Sequence, residues 1–302
     1  MGLGVHEILL LAKVLKNENP SGRCLTFGVQ GVDGQYDDIA HMLKAEGYPY
    51  TDLSPDAREI DDNTQFGASL HQTSFFKMLG FTDVDSLDFY SIESPTYVVD
   101  LNKPITEDLL GLYDLVYDGG TTEHIFDTRQ VLTNAVRLIK PNGLIVHDLP
   151  MSGLVNHGFY QFSPCLFYDF YGCNGFEIIK CYIYVRDRIL GMVRYAEYDP
   201  SMVLPESFGN KTAGLCLCVR KTSEEDTIRI PNQGDSSMAT LEPDSAPPSC
   251  QTDLVDKVRP LARKLPPLFA RIGWWAYCKL RSRRLRMKRL CRSEPLFRKR
   301  PI

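Results

Sequence analysis

From Arg23 to Arg220 the chain alternates short apolar runs with amphipathic segments of helix length, and no other feature constrains its fold as much. Parallel strands cannot be joined by a tight turn, so each needs a crossover, and a helix with one apolar face supplies it. The apolar runs predict strands at Cys24–Gly28, Val84–Asp88, Tyr97–Asp100, Leu112–Asp118, Gly143–Asp148, Phe176–Arg186 and Ala213–Arg220. Helices are predicted at Asp37–Ala45, Ser69–Leu79 and Phe126–Ile139. The last carries Val131, Leu132, Ala135, Val136 and Ile139 on one side and stops at Lys140-Pro141-Asn142-Gly143. The final two strands can pair as a hairpin across an irregular excursion, 187–211, to which periodicity assigns no element. The expected class is therefore α/β, a mostly parallel sheet with helices on both faces.

The flanks read differently. Residues 1–22 predict an N-terminal helix with Ile8, Leu9, Leu11, Ala12 and Leu15 on one face. They lack the basic start and cleavage site of a signal peptide, and the apolar run falls short of the roughly 20 residues that span a bilayer. Residues 23–220 form the expected globular domain. Residues 221–255, rich in Ser, Asp, Glu and Pro, predict a flexible, disordered linker, because too little apolar surface is present to offset chain entropy. Residues 256–302 form a basic helical tail that Pro260, Pro266 and Pro267 keep from being one continuous helix.

Charge separates body from tail. The net formal charge is -4, yet from Lys257 onward sixteen Lys and Arg face one acid, Glu294, so residues 1–256 carry a net charge of about -19. Nucleic-acid binding rests largely on phosphate neutralisation, so the main domain is not expected to bind it. For the tail, Trp274 and Trp275 among the cations suit an anionic membrane surface, while nucleic-acid or acidic-partner binding and a solvated extension are the other readings. The nine cysteines are scattered, without a CxxC, and several lie in apolar runs. A reducing, cytoplasmic setting is expected, with peripheral association at the cytoplasmic membrane face through 256–302. Cys216 and Cys218 fall on one strand face rather than forming a zinc pair, and the sequence offers no metal site.

Four strand ends carry groups suited to chemistry, and open α/β sheets bind ligands at the carboxyl ends of their strands. The first runs into Gly28-Val29-Gln30-Gly31, a turn that lets backbone approach a ligand. The second ends at Asp88, where such folds place an acceptor for ribose hydroxyls. The third ends in Asp100-Leu101-Asn102, and the fourth in Asp118-Gly119-Gly120, followed by Glu123 and His124. Each acid taken alone also suits a turn or a helix cap. His124, and His157 in the loop after the fifth strand, are candidate bases, because an imidazole titrates near neutral pH. Capping is the structural alternative for His124. His147, inside a strand, reads as a satisfied core histidine. Among Phe159, Tyr160, Phe162, Phe167, Tyr168, Phe170 and Tyr171, helical spacing of Phe167, Phe170 and Tyr171 favours packing. The rings from Phe159 to Phe162 suit either packing or the wall of an acceptor pocket.

The order of elements resembles a class I S-adenosylmethionine-dependent methyltransferase. DGGTTEHIFD (118–127), the helix leading to LIKPNGLIVHDLP, and NHGFYQFSPCLFYDFYGCNGFEI resemble methyltransferase-domain proteins of bacterial surface-glycan biosynthesis clusters, over roughly 23–186. The resemblance implies a Rossmann-like seven-stranded sheet with the last strand inserted antiparallel. It assigns Gly28, Gly31, Asp88, Asp100, Asn102, Asp118 and Gly119 to S-adenosylmethionine. Glu123, His124 and His157 then lie toward the acceptor, as catalytic candidates. The implied activity is O-methylation of a sugar or glycan precursor. Methylation of another small-molecule oxygen or nitrogen, or a non-catalytic cofactor-binding scaffold brought to a membrane by the tail, are the alternatives. The chain departs from the family pattern at Thr26-Phe27, where an acid is usual, and in an insertion around 47–67, expected to form a lid.

Overall fold

The computed structural model describes residues 2–233 except 65, 66, 188, 190, 191, 201–203, 205–207, 225 and 226. The expected tail and most of the expected linker lie outside the described residues. In chain order the elements are β1 (Gly2–Leu3), α1 (Val5–Leu15), β2 (Arg23–Phe27), β3 (Gly31–Val32), α2 (Tyr36–Ala45), β4 (Ile60–Thr64), β5 (Gly67–Leu70) and α3 (Gln72–Met78). They continue with β6 (Asp83–Asp88), β7 (Tyr97–Val98), β8 (Tyr113–Gly119), α4 (Thr128–Leu138), β9 (Ile139–Ser152), α5 (Pro164–Cys173), β10 (Phe176–Arg186), β11 (Val193–Glu197) and β12 (Thr212–Lys221).

The main sheet has the order β11-β10-β12-β9-β8-β2-β6-β7. The run β9-β8-β2-β6-β7 is parallel throughout, whereas β12 lies between β9 and β10 and is antiparallel to both. The mostly parallel Rossmann-like sheet is thus present with eight strands rather than seven. The extra one is β11, an antiparallel edge strand on β10, inside the excursion that periodicity left unassigned. Its five residues are all partly or fully exposed, so no buried apolar alternation marks it.

Side-chain alternation sorts the core into two layers. Cys24, Leu115, Tyr117, Val146, Cys216 and Cys218 face α1, α2 and α3, while Leu25, Val116, Ile145, Leu215, Leu217 and Val219 face α4 and α5. Cys216 and Cys218 are free, buried thiols in the first layer, which is the packing role expected of them. Phe167, Phe170 and Tyr171 on α5 are buried in the second. Each such side chain taken out of water contributes about 1.5–3 kcal/mol.

Two segments differ from expectation. The insertion at 47–67 wraps onto α2: the Leu53 amide donates to the Tyr36 hydroxyl (2.7 Å), the Arg58 guanidinium stacks 3.6 Å from that ring, and β4 and β5 form a hairpin. The first residues of the expected linker are held by the domain. Arg229 exchanges hydrogen bonds with Asn174 at the end of α5, its amide donating at 2.7 Å and its carbonyl accepting at 3.0 Å.

Candidate active site

The strand order reverses direction about β2 and β8, and between their carboxyl ends an α/β sheet opens a crevice. In register, Phe27 stands beside Asp118, Asp118 beside His147 and Gly119 beside Asp148. Phe27, Asp118 and Gly119 close their strands at this level, whereas His147 and Asp148 lie within β9, which runs on to Ser152.

Asp118 turns inward. Its Oδ1 accepts the amides of Thr121 (3.0 Å) and Thr122 (3.2 Å), and its Oδ2 accepts the Thr122 hydroxyl (2.5 Å) and lies 2.8 Å from His147 Nδ1. His147 Nε2 in turn lies 2.6 Å from the Tyr171 hydroxyl, and all three residues are buried. With Asp118 accepting, the ring hydrogen belongs on Nδ1 and Nε2 takes the hydrogen of Tyr171. Here a carboxylate expected to face the methyl donor instead shapes the turn after β8. His147 is the satisfied core histidine that its mid-strand position suggested.

The Asp118 turn throws Glu123, His124 and their main chain to the crevice wall. The loop after β9 returns to meet them: the amides of Phe159 (2.8 Å) and Tyr160 (3.2 Å) both donate to the Glu123 carbonyl, and Tyr160 donates its hydroxyl to the Phe126 carbonyl (2.8 Å). A Cβ on Gly158 would sit 2.7 Å from that Glu123 carbonyl, so only glycine permits the approach. Three expected catalytic candidates are thereby brought together. Glu123 Oε1 lies 3.5 Å from His157 Nε2 and 3.9 Å from His124 Nε2, and the two imidazole rings are 5.0 Å apart, edge to face. Only 1% of the Glu123 side chain is exposed, against 40% for His124 and 49% for His157. Burial, aided by the nearby Asp118, pushes the Glu123 carboxyl up to about 8, and burial with the neighbouring His157 pushes His124 down.

The glycine turn after β2 is built on two glutamines that the sequence did not flag. Gln72 Oε1, from α3, accepts the Gln30 amide (2.7 Å) and the Thr26 hydroxyl (3.3 Å), and Gln30 Nε2 donates to the carbonyls of Phe27 (2.8 Å) and Gly28 (3.3 Å). The Gly28 amide donates to Leu87 on β6 (2.7 Å), while Gly31 pairs with Gly2, so β1 runs alongside this turn. Gly119 has no room for a side chain: a Cβ there would meet Tyr117 at 2.5 Å and Gln30 Oε1 at 2.7 Å.

On the other side of the crevice, Tyr184 from β10 donates to Asp148 Oδ1 (2.8 Å). Burial, and then Glu7 of α1, hold the Asp148 carboxyl well above the usual range. Glu7 itself takes Arg186 Nη2 at 3.0 Å. Four buried oxygens in this region have no hydrogen-bond partner among the described residues: Glu7 Oε2, Gln30 Oε1, Glu123 Oε2 and Asp148 Oδ2. Gln30 Oε1 is an acceptor, and the three carboxyl oxygens accept when ionised. Glu7, an acid directly before the apolar run Ile8–Leu11, was the available sequence signal for its role.

The remaining candidates lie along the rim. Asp88 Oδ1 accepts the Tyr90 amide (2.9 Å) at the end of β6. Asp100 Oδ1 accepts both the amide (3.0 Å) and the side-chain nitrogen (2.9 Å) of Asn102, and the Asn102 side chain holds its carboxyl below the ordinary carboxylate value. Asn102 Oδ1 accepts the Asp127 amide (3.0 Å), and Asp127 caps α4. Asp100 and Asn102 therefore spend their polar atoms on a turn that seats α4. Exposed Phe126 and Phe159 stand edge to face, 6.1 Å apart, beside His124 and His157 in sequence. Tyr160, Phe162 and Phe126 also line an apolar groove of about 590 Å³ against Ile228–Pro231.

No family model matches the chain, and no curated protein is similar to it. Among solved structures, it is similar to the 1,6-didemethyltoxoflavin-N1-methyltransferase of Burkholderia thailandensis, at 12% identity over 72% of this chain and 79% of that one, with a TM-score of 0.36. It is also similar to the branched-chain polyamine synthase of Thermus thermophilus (13% identity, 76% and 61%, TM-score 0.35). A third is the trans-methyltransferase CalH with SAH (14% identity, 70% and 54%, TM-score 0.35). At such TM-scores these likenesses bear no weight for fold or function here, which rest on the strand order and side chains of the chain itself.

Proposed function

We propose that the protein is an S-adenosylmethionine-dependent methyltransferase acting on a small-molecule hydroxyl, that of a sugar or glycan precursor. The observation that carries this reading is the set of buried oxygens on Glu7, Gln30, Glu123 and Asp148 that have no hydrogen-bond partner among the described residues, three of them on carboxyls that a bound cation would ionise. Buried acceptors left unpaired cost about 1–3 kcal/mol each, and a ligand bearing positive charge and N–H donors offsets that cost. S-adenosylmethionine has both, a sulfonium and an ammonium group. When bound, it supplies a methyl group open to in-line displacement. The strand order, with β12 inserted antiparallel between β9 and β10, agrees with the resemblance in sequence, although fold alone never fixes activity.

The chain's own contribution is position and proton handling. Asp118, His147 and Tyr171 hold the turn that aims Glu123 and His124. His124, pushed down by burial, is neutral at pH 7, and it or His157 takes the proton of the acceptor hydroxyl as the oxygen attacks. The exposed rings of Phe126 and Phe159 suit the apolar face of a sugar. At the adenosine end, Asp88 retains an oxygen beyond the one given to Tyr90.

The scaffold alternative draws on Asp100, Asn102 and Asp118, whose hydrogen bonds are internal. Labelled methyl transfer to a panel of nucleotide-linked and lipid-linked sugars separates the readings. Turnover that falls on His124→Ala with cofactor binding kept supports the acceptor role; undiminished turnover removes His124 as the base.

A further inference from the structure

Glu123, His124 and His157 come from two separate segments, yet they converge at one point on the crevice wall. We propose that these three side chains form a binding site for a divalent first-row transition-metal ion. One donor atom from each lies within 4.8 Å of the other two, with the Glu123 oxygen 3.5 Å and 3.9 Å from the imidazole Nε2 atoms. Ligands bound about 2.0–2.2 Å from one ion stand somewhat over 3 Å apart, so a small movement of the two half-exposed imidazoles completes the geometry.

A second observation points the same way. Glu123 is almost wholly buried, and its other oxygen, Oε2, has no hydrogen-bond partner among the described residues. A carboxylate removed from water without a donor is strongly unfavourable, and a cation beside it supplies what the protein does not. The donor set decides the class of ion. Two imidazoles and one carboxylate suit zinc, iron, cobalt or manganese, whereas calcium and magnesium call for an all-oxygen cage. With both imidazoles open to solvent, coordination positions remain free on the crevice side, the arrangement of reactive rather than structural sites.

The backbone beneath the three ligands is fixed. Glu123 accepts two loop amides at its carbonyl, His124 donates its amide to Thr121 (3.0 Å), and His157 donates its amide to Leu154 (3.1 Å). Gly158 keeps His157 pressed against Glu123. Such supports orient ligands, and losing even one typically costs about tenfold to 100-fold in metal affinity. The site stands on these contacts alone and does not depend on the methyltransferase reading. If both hold, the two imidazoles act as ligands rather than as free bases, and an open coordination position would hold the acceptor oxygen.

The test is titration of the chelator-treated full chain with Co²⁺, read by calorimetry and by visible absorption. One ion per chain is expected, with nitrogen and oxygen ligation and no thiolate charge-transfer band. His124→Ala and His157→Ala, each shown folded by circular dichroism, should weaken binding about tenfold or more. His41→Ala, an exposed histidine of α2 remote in sequence from the site, should leave it unchanged. No binding of Co²⁺, Zn²⁺ or Mn²⁺ would overturn the proposal. So would binding with a thiolate band, or binding unaffected by either histidine substitution. Because S-adenosylmethionine is absent from every arm, failure here and failure of the proposed activity remain distinct.

Discussion

Asp118 Oδ2 and His147 Nδ1 lie 2.8 Å apart on neighbouring parallel strands, with both residues fully buried. This contact makes Asp118 the keystone of the turn that carries Glu123 and His124, and it fixes the consequence of removing it. Asp118→Ala strands two backbone amides, a hydroxyl and an imidazole N–H, so stability should fall by about 3 kcal/mol or more in urea denaturation. A loss below about 1 kcal/mol would contradict this role.

Asp148 gives the protein a pH dependence of definite sign. Burial raises its folded-state pKa above the unfolded value, so the folded state keeps a proton that the unfolded chain releases. Its stabilising contribution is complete below the unfolded carboxylate pKa and disappears as pH rises through the folded one. Asp148→Asn removes that titration. In ligand-free protein its stability curve should decline less with pH above about 4 than the wild-type curve, the difference approaching at most about 1.4 kcal/mol per pH unit. Parallel curves would show that Asp148 does not titrate as argued.

Gly158→Ala tests the loop that returns to Glu123. The added methyl meets the Glu123 carbonyl at 2.7 Å and its Cγ at 3.0 Å, so the loop must lift and carry His157 with it. Turnover should drop by about 100-fold for a displacement near 1 Å, with S-adenosylmethionine affinity little changed. Equal turnover in steady-state kinetics would place the acceptor elsewhere.

The parallel core was legible because burial on both faces leaves an unbroken apolar run. In that core Tyr113–Gly119 was bounded within one residue at each end, and antiparallel Phe176–Arg186, outside it, was bounded correctly. β11 was not legible, since Val193–Glu197 is an edge strand with mixed exposure. At the site, sequence placed Asp118 at a strand end but not the direction of its carboxylate, which Thr121 and Thr122 decide by offering amides three and four residues later. Likewise the pairing of His124 with His157 depends on main-chain bonds to Glu123 and on the space Gly158 leaves, neither of which has a periodicity to read.

The basic tail remains a proposal from sequence. Among the described residues no helix is long and apolar enough to cross a membrane. By their composition, Trp274, Trp275 and the surrounding Arg and Lys should bind at a lipid surface. Liposome sedimentation should require anionic lipid, weaken with salt, and vanish on truncation after Asp253. Equal sedimentation of the truncated chain would rule this out.

Calorimetry of the folded, full-length chain with S-adenosylmethionine and S-adenosylhomocysteine tests the central claim most directly. The buried oxygens of Glu7, Gln30, Glu123 and Asp148 that have no partner among the described residues predict one-site binding of both ligands through their shared ammonium, tighter for the sulfonium-bearing methyl donor. Absence of binding to either ligand would contradict the account.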